Sequence, residues 1–209
     1  MKQKKLLGEL IIMKIINLVA ASVLVATAAA AMADNTGFYA QVLGGYGKVQ
    51  AHAVNDSNRI DTYDISKNHG FDAGVNVGYM FNDNFGTEVG FMQYSNVKYS
   101  DVLDGGETFG GNLRQNYNIH LAGVAKYDLT NEFNVFGKLG LARVHSTEVP
   151  TGADTDAPKS ESKIALFTGA GVGYNVTQHI EVSFETDYTM KHSDVPAMYS
   201  ANVGVAYKF

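Results

Sequence analysis

From Tyr199 to Phe209 the chain alternates between two chemistries, and a period of two is what a pleated strand imposes. Tyr199, Ala201, Val203, Val205, Tyr207 and Phe209 fall on one face, while Ser200, Asn202, Gly204, Ala206 and Lys208 fall on the other. An apolar face with an aromatic residue at each end, opposite small or polar residues, suits a barrel wall in lipid.

The same pattern recurs along the chain. Eight alternating segments can be marked, at 37–47, 70–81, 85–97, 116–128, 133–145, 164–176, 180–190 and 198–209. In the second, Phe71, Ala73, Val75, Val77, Tyr79 and Phe81 share a face opposite Asp72, Gly74, Asn76, Gly78 and Met80. In the fourth, Tyr117, Ile119, Leu121, Ala125 and Tyr127 oppose Asn118, His120, Ala122 and Lys126. Segments of about ten residues with a dyad period are the mark of transmembrane strands.

Connections alternate as well. Asn82-Asp83-Asn84, Leu129 to Glu132 and Thr177-Gln178-His179 read as tight turns, whereas 48–69, 98–115 and 146–163 are longer polar stretches. Long loops on one rim and short turns on the other fit an outer-membrane barrel with its long loops outside. A water-soluble eight-stranded barrel would instead turn its apolar face inward. Three features favour the membrane form: the charged face is also the glycine-rich one, aromatic residues gather at strand ends, and the last residue is Phe209. The expected fold is therefore all-β, an eight-stranded antiparallel up-and-down transmembrane β-barrel, and monomeric.

The first residues agree with export. Ile15 to Ala31 is apolar apart from Asn17, Ser22 and Thr27, follows Lys14, and leads into Ala31-Met32-Ala33. A charged start, an apolar run and a small-x-small site predict cleavage after Ala33. The expected organisation is a signal peptide over 1–33, with Met13 a more ordinary start than Met1, and a barrel over 34–209. Losing Lys2, Lys4, Lys5, Lys14 and Glu9 leaves 12 basic and 20 acidic residues, a formal charge of −8. That balance attracts no nucleic acid. Cysteine is absent, so no disulfide framework or thiolate metal site is expected. No mature segment offers the run of about 18 apolar residues that a spanning helix needs.

Two sets of charged residues stand out. Glu88, Lys126, Lys138, Glu181 and Glu185 point inward by parity, each a few residues from a tight turn, and should form one charged layer. Isolated buried charges are expensive, so they must pair, with Glu88 to Lys126 and Lys138 to Glu185 the expected partners. Lys48, Lys98, Arg114, Arg143, Lys163 and Lys191 each sit where a strand meets its long loop. Such a ring could meet lipopolysaccharide phosphates through charge-assisted hydrogen bonds, or simply be the polar end of each strand. Outer-membrane lipids are thus expected partners.

Catalysis is not expected. His145-Ser146 and His192-Ser193-Asp194 offer hydrolase parts, but adjacent His and Ser point to opposite faces of a strand. His52, His69, His120 and His179 lack ligand spacing, so neither a metal nor a cofactor is expected. Gly169, Gly171 and Gly173 lie within a strand and read as close-packing residues on the lumenal face.

Asp34-Asn35-Thr36 leading into Phe38-Tyr39, Ala125 to Glu132, and Gly171 to Thr177 resemble segments of the OmpA-type eight-stranded transmembrane domain. The resemblance spans most of 34–209. With no peptidoglycan-binding domain following, it is similar to the stand-alone OmpX and opacity-type barrels. It implies a lumenal ion-pair layer that closes, or gates, the pore. Glu88, Lys126 and Lys138 fall at matching positions, while further gate members align with Gly173 and Ser183. Phe209, Tyr207 and Val205 resemble the signal read by the barrel-assembly machinery. Envelope integrity or surface contact is the implied role, with a host or surface ligand met by the loops. The alternatives are a low-conductance gated pore and, from another class, a lipid A-modifying hydrolase.

Overall fold

The computed structural model describes residues 36–50, 64–67, 69–102, 108–152, 159–191 and 196–209. Ten strands run antiparallel to their neighbours: β1 (Gly37–Gln50), β2 (Asp64–Lys67), β3 (His69–Met80), β4 (Phe85–Gln93), β5 (Val97–Val102), β6 (Thr108–Asp128), β7 (Phe133–Gly152), β8 (Lys159–Asn175), β9 (Ile180–Thr189) and β10 (Ala197–Lys208). Eight of them close a barrel in the order β6-β4-β3-β1-β10-β9-β8-β7, with β7 pairing back onto β6. The short β2 and β5 pair with each other, and β5 continues along the outer part of β6.

Polarity is inverted relative to a water-soluble fold. Val203 is 55% exposed, whereas Glu88 is 1% and Lys138 5% exposed. Outward positions carry Phe, Val, Leu, Ile and Tyr. Two aromatic bands border this apolar belt. One includes Phe38 against Tyr79, Phe133 against Tyr174, and Tyr207 against Phe209; the other includes Phe91 against Tyr117 and Tyr188 against Tyr199.

The three tight turns are built alike. Asn82 Oδ1 accepts from the amides of Asn84 and Phe85, Thr130 Oγ1 from those of Glu132 and Phe133, and Thr177 Oγ1 from those of His179 and Ile180. A short polar side chain at the same place in each turn thus satisfies two backbone donors. In every case an aromatic or apolar residue then opens the next strand.

β6, β7 and β8 reach furthest beyond what alternation indicates, at their ends away from the tight turns. β6 begins at Thr108 rather than 116, β7 runs to Gly152 rather than 145, and β8 begins at Lys159 rather than 164. Much of what reads as loop at 98–115 and 146–163 is therefore paired sheet. Here Gly, Asn, Ser and Thr are common, and the period-two hydrophobic signal fades.

Small residues on the lumenal face face large ones. Gly90 pairs with His120, and an added Cβ there would land on Asn76 and the His120 ring. The buried Oδ1 atoms of Asn76, Asn134, Asp187 and Asn202 find no hydrogen-bond donor among the described residues, and each rests over a glycine of an adjoining strand: Gly90, Gly173, Gly169 and Gly45. Weak Cα–H···O contacts account for such a recurring arrangement.

Candidate functional site in the lumen and at the outer rim

The inward faces of β4, β7 and β9 bring Glu88, Lys138 and Glu185 together. Lys138 Nζ lies 2.9 Å from Glu88 Oε1 and 3.2 Å from each oxygen of Glu185. Two carboxylates thus share one ammonium, and neutral donors complete the set. The Tyr39 hydroxyl donates to Glu88 Oε2 at 2.7 Å, and Gln41 Nε2 donates to Glu185 Oε2 at 3.4 Å. His120 Nε2 lies 3.4 Å from Glu88 Oε1. Removing two acids from water is tolerable only when such contacts fill their lone pairs.

The expected pairing of Glu88 with Lys126 is not what the barrel makes. Glu88 stands opposite Ala122 on β6, and Lys126 lies four residues further along that strand, roughly 13 Å away at about 3.3 Å per residue. Lys126 belongs to a second layer nearer the tight turns. There Glu181 Oε2 is met by Lys208 Nζ at 2.6 Å, Asn134 Nδ2 at 3.2 Å and Lys126 Nζ at 3.4 Å. The single layer read from parity is therefore two, and only the Lys138–Glu185 pair joins the partners named from sequence. Tyr39, Gln41, His120 and Lys208 complete the layers. All four sit on inward parity, which is the signal that could have found them.

A cavity of about 500 Å³ opens among the tight turns, lined in part by Tyr39, Gln41, Lys126 and Lys208, and it reaches Glu88 and Lys138. Toward the other rim the lumen is filled by Leu43, Val49, Met92, Val144, Phe167 and Met198. The His120 ring stacks on Phe167 with centroids 4.1 Å apart, joining the polar layer to this apolar plug. At the position aligned with a gate residue, a Cβ on Gly173 would crowd Asn134 and Glu181. Ser183, at the other, accepts from Gln41 at 2.9 Å.

The six basic rim residues do not share one face. Lys48, Arg114 and Arg143 are outward and exposed, and Lys191 is exposed beyond β9. Lys163 lies on the inward parity of β8 beside Glu161, at 3.9 Å. The side chain of Lys98 lies outside the described residues, as do His52, His192, Ser193 and Asp194 and the segment 1–35. His145 and Ser146 do separate: Ser146 donates inward to Asn116 at 2.7 Å, while His145 Nδ1 lies 2.8 Å from Ser162 Oγ across the strand pair. Val205 and Tyr207 are outward, and the Phe209 amide donates to the Phe38 carbonyl at 3.0 Å.

A closed antiparallel barrel of eight strands, greasy outside and ionic within, is an integral membrane barrel. The chain belongs to the outer membrane protein beta-barrel domain family, whose model matches residues 18–209. That family places it in the outer membrane of a Gram-negative bacterium. A protein of Coxiella burnetii (strain RSA 493 / Nine Mile phase I) described as uncharacterized is 29% identical over 217 residues, covering 84% of this chain and 86% of that one. Neisserial surface protein A shares the fold at 18% identity and a TM-score of 0.52, over 83% of this chain and 97% of that chain. The outer membrane protein OprG from Pseudomonas aeruginosa does so at 14% identity and a TM-score of 0.52, over 83% and 98%.

Proposed function

We propose that the protein is a non-enzymatic scaffold of the outer membrane, whose lumen is closed by its ion-pair layers and whose outer loops make surface contacts. The observation that carries this reading is the placement of Lys138 Nζ between Glu88 and Glu185, with the apolar plug beyond it. Residues that fill the lumen at two successive levels support a stopper rather than a conduit. Strands supply rigidity, and the rim cations are available to lipopolysaccharide. Val205, Tyr207 and Phe209 serve the barrel-assembly machinery, and a host or surface ligand meets the loops.

Planar-bilayer recording tests this. The reconstituted chain is expected to show no stepwise current. Discrete openings whose size changes in Glu88→Lys or Lys126→Glu would replace the scaffold by the gated pore.

Export follows the same reading, with residues 1–33 removed and 34–209 forming the barrel. Terminal sequencing of the protein extracted from outer membranes should begin at Asp34. A sequence that still contains the apolar run Ile15 to Ala31 would overturn cleavage.

A further inference from the structure

Lys126 and Lys208 come from opposite walls of the barrel. β6 and β10 stand four strands apart in either direction around the closed order, yet both lysines reach one atom, Glu181 Oε2, at 3.4 and 2.6 Å. Their ammoniums are therefore no more than about 6 Å apart. Like charges this close repel each other, and a single carboxylate offsets only one of them. The other acid at hand, Asp128, lies 3.8 Å from Lys126 Nζ, beyond hydrogen-bond range, and is 38% exposed, so water screens it.

An ammonium has three hydrogens to donate. Those of Lys208 meet Glu181 and, at 2.7 Å, Asn175 Oδ1, whereas those of Lys126 meet Glu181 alone. Asn134 Nδ2 also donates to Glu181 Oε2, at 3.2 Å, so that oxygen already takes three donors. Among the described residues, one hydrogen of Lys208 and two of Lys126 are left for a further acceptor. Both ammoniums line the cavity of about 500 Å³ among the tight turns. Past them the wall is apolar, with Met80, Val124, Phe136 and Ala206. At its far end stand Glu88 and Glu185, two acids around the one ammonium of Lys138.

We propose that this cavity binds a small monocarboxylate with a short apolar body, which enters from the side of the tight turns and bridges Lys126 and Lys208. Charge sets the class of ligand. Two ammoniums and Glu181 leave one positive charge, which a single carboxylate neutralises and a doubly charged head exceeds. The apolar waist takes the body of the ligand, and the cavity has the size of ordinary small-molecule sites. The acidic far end sets the direction, because a second carboxylate there would face Glu88 and Glu185 in a lumen where like charges repel strongly. The scaffold reading stands beside this proposal, which adds an occupant to the turn-side layer.

The test uses the full chain in phosphatidylcholine nanodiscs, titrated with hexanoate and read by the NMR shifts of the Lys126, Glu181 and Lys208 amides. Saturable shifts are expected at these three, with none at the Lys163 amide on the opposite rim. Adipate, which has a carboxylate at each end, and uncharged hexanol should each bind at least fivefold more weakly than hexanoate. Lys126→Met should also lose at least fivefold in affinity, since Lys208 keeps Glu181 paired in that variant. Lys163→Met should bind hexanoate as the wild type does. Absence of saturation, adipate or hexanol within fivefold of hexanoate, a loss under fivefold in Lys126→Met, or an equal loss in Lys163→Met would each overturn the site. Should Lys126→Met fail to insert, the three ligands compared on the wild type still decide the matter. Bilayer recordings read the lumen independently, so failure here leaves the scaffold reading standing.

Discussion

Lys138 is the residue on which the lumen balances, because Glu88 and Glu185 both turn to it and neither has a lysine or arginine partner besides it among the described residues. Replacing it with Met would keep most of the volume and leave two buried carboxylates facing each other. Breaking a buried pair costs about 3–5 kcal/mol, more than exposed pairs contribute. Lys138→Met should therefore lower the unfolding free energy by about 3–5 kcal/mol in urea titrations of the vesicle-inserted barrel. Adding Glu88→Gln and Glu185→Gln should recover most of that loss, since Tyr39 and Gln41 can still satisfy the amides. If Lys138→Met alone changed stability by less than about 1 kcal/mol, the ammonium would not be what holds the layer together.

At the scale of strands, close approach between β6 and β7 depends on Gly140. A Cβ there would meet the Leu121 carbonyl and Ala122 Cα, both backbone atoms that no side-chain rotation can move aside. Gly123 looks outward, and its Cβ would come no nearer than 3.8 Å to the Leu139 carbonyl. Gly140→Ala should cost about 1–3 kcal/mol, while Gly123→Ala should stay within about 0.5 kcal/mol, read in the same urea titration. Equal effects would mean that the two strands are not packed as described. The alternation that separates these two glycines was legible without coordinates, because a period of two shows in the residue types themselves. Depth was not. Barrel stagger places Glu88 opposite Ala122 rather than near Lys126, and no count along one strand reveals the shear between two. The bulge at Gln115 was equally hidden, since a left-handed residue there is a glutamine and not the glycine that would have marked it. Strand ends above the belt escaped for a further reason. Where the pattern gives way to Gly, Asn, Ser and Thr, no hydrophobic period remains to be read.

For the molecule as a whole, the claim that matters is that lipid, not water, covers the belt, and depth dependence is the property that separates the two solvents. Leu139 and Ile164 are both outward and are each 63% exposed, so any difference between them cannot come from burial in protein. They differ in height. Leu139 is six residues from Phe133 on β7, near the middle of the ten-residue span to Arg143, and Ile164 is in register with Arg143 itself. An arginine at the bilayer midplane costs about 2–4 kcal/mol, and one near the interface about 0–1. Leu139→Arg should therefore destabilise the inserted barrel by about 2–4 kcal/mol, and Ile164→Arg by no more than about 1, in reversible unfolding from phospholipid vesicles. In water an exposed Leu→Arg change would be nearly neutral at either position. Equal costs at the two sites would remove the depth axis, and with it the assignment of lipid rather than water to the belt.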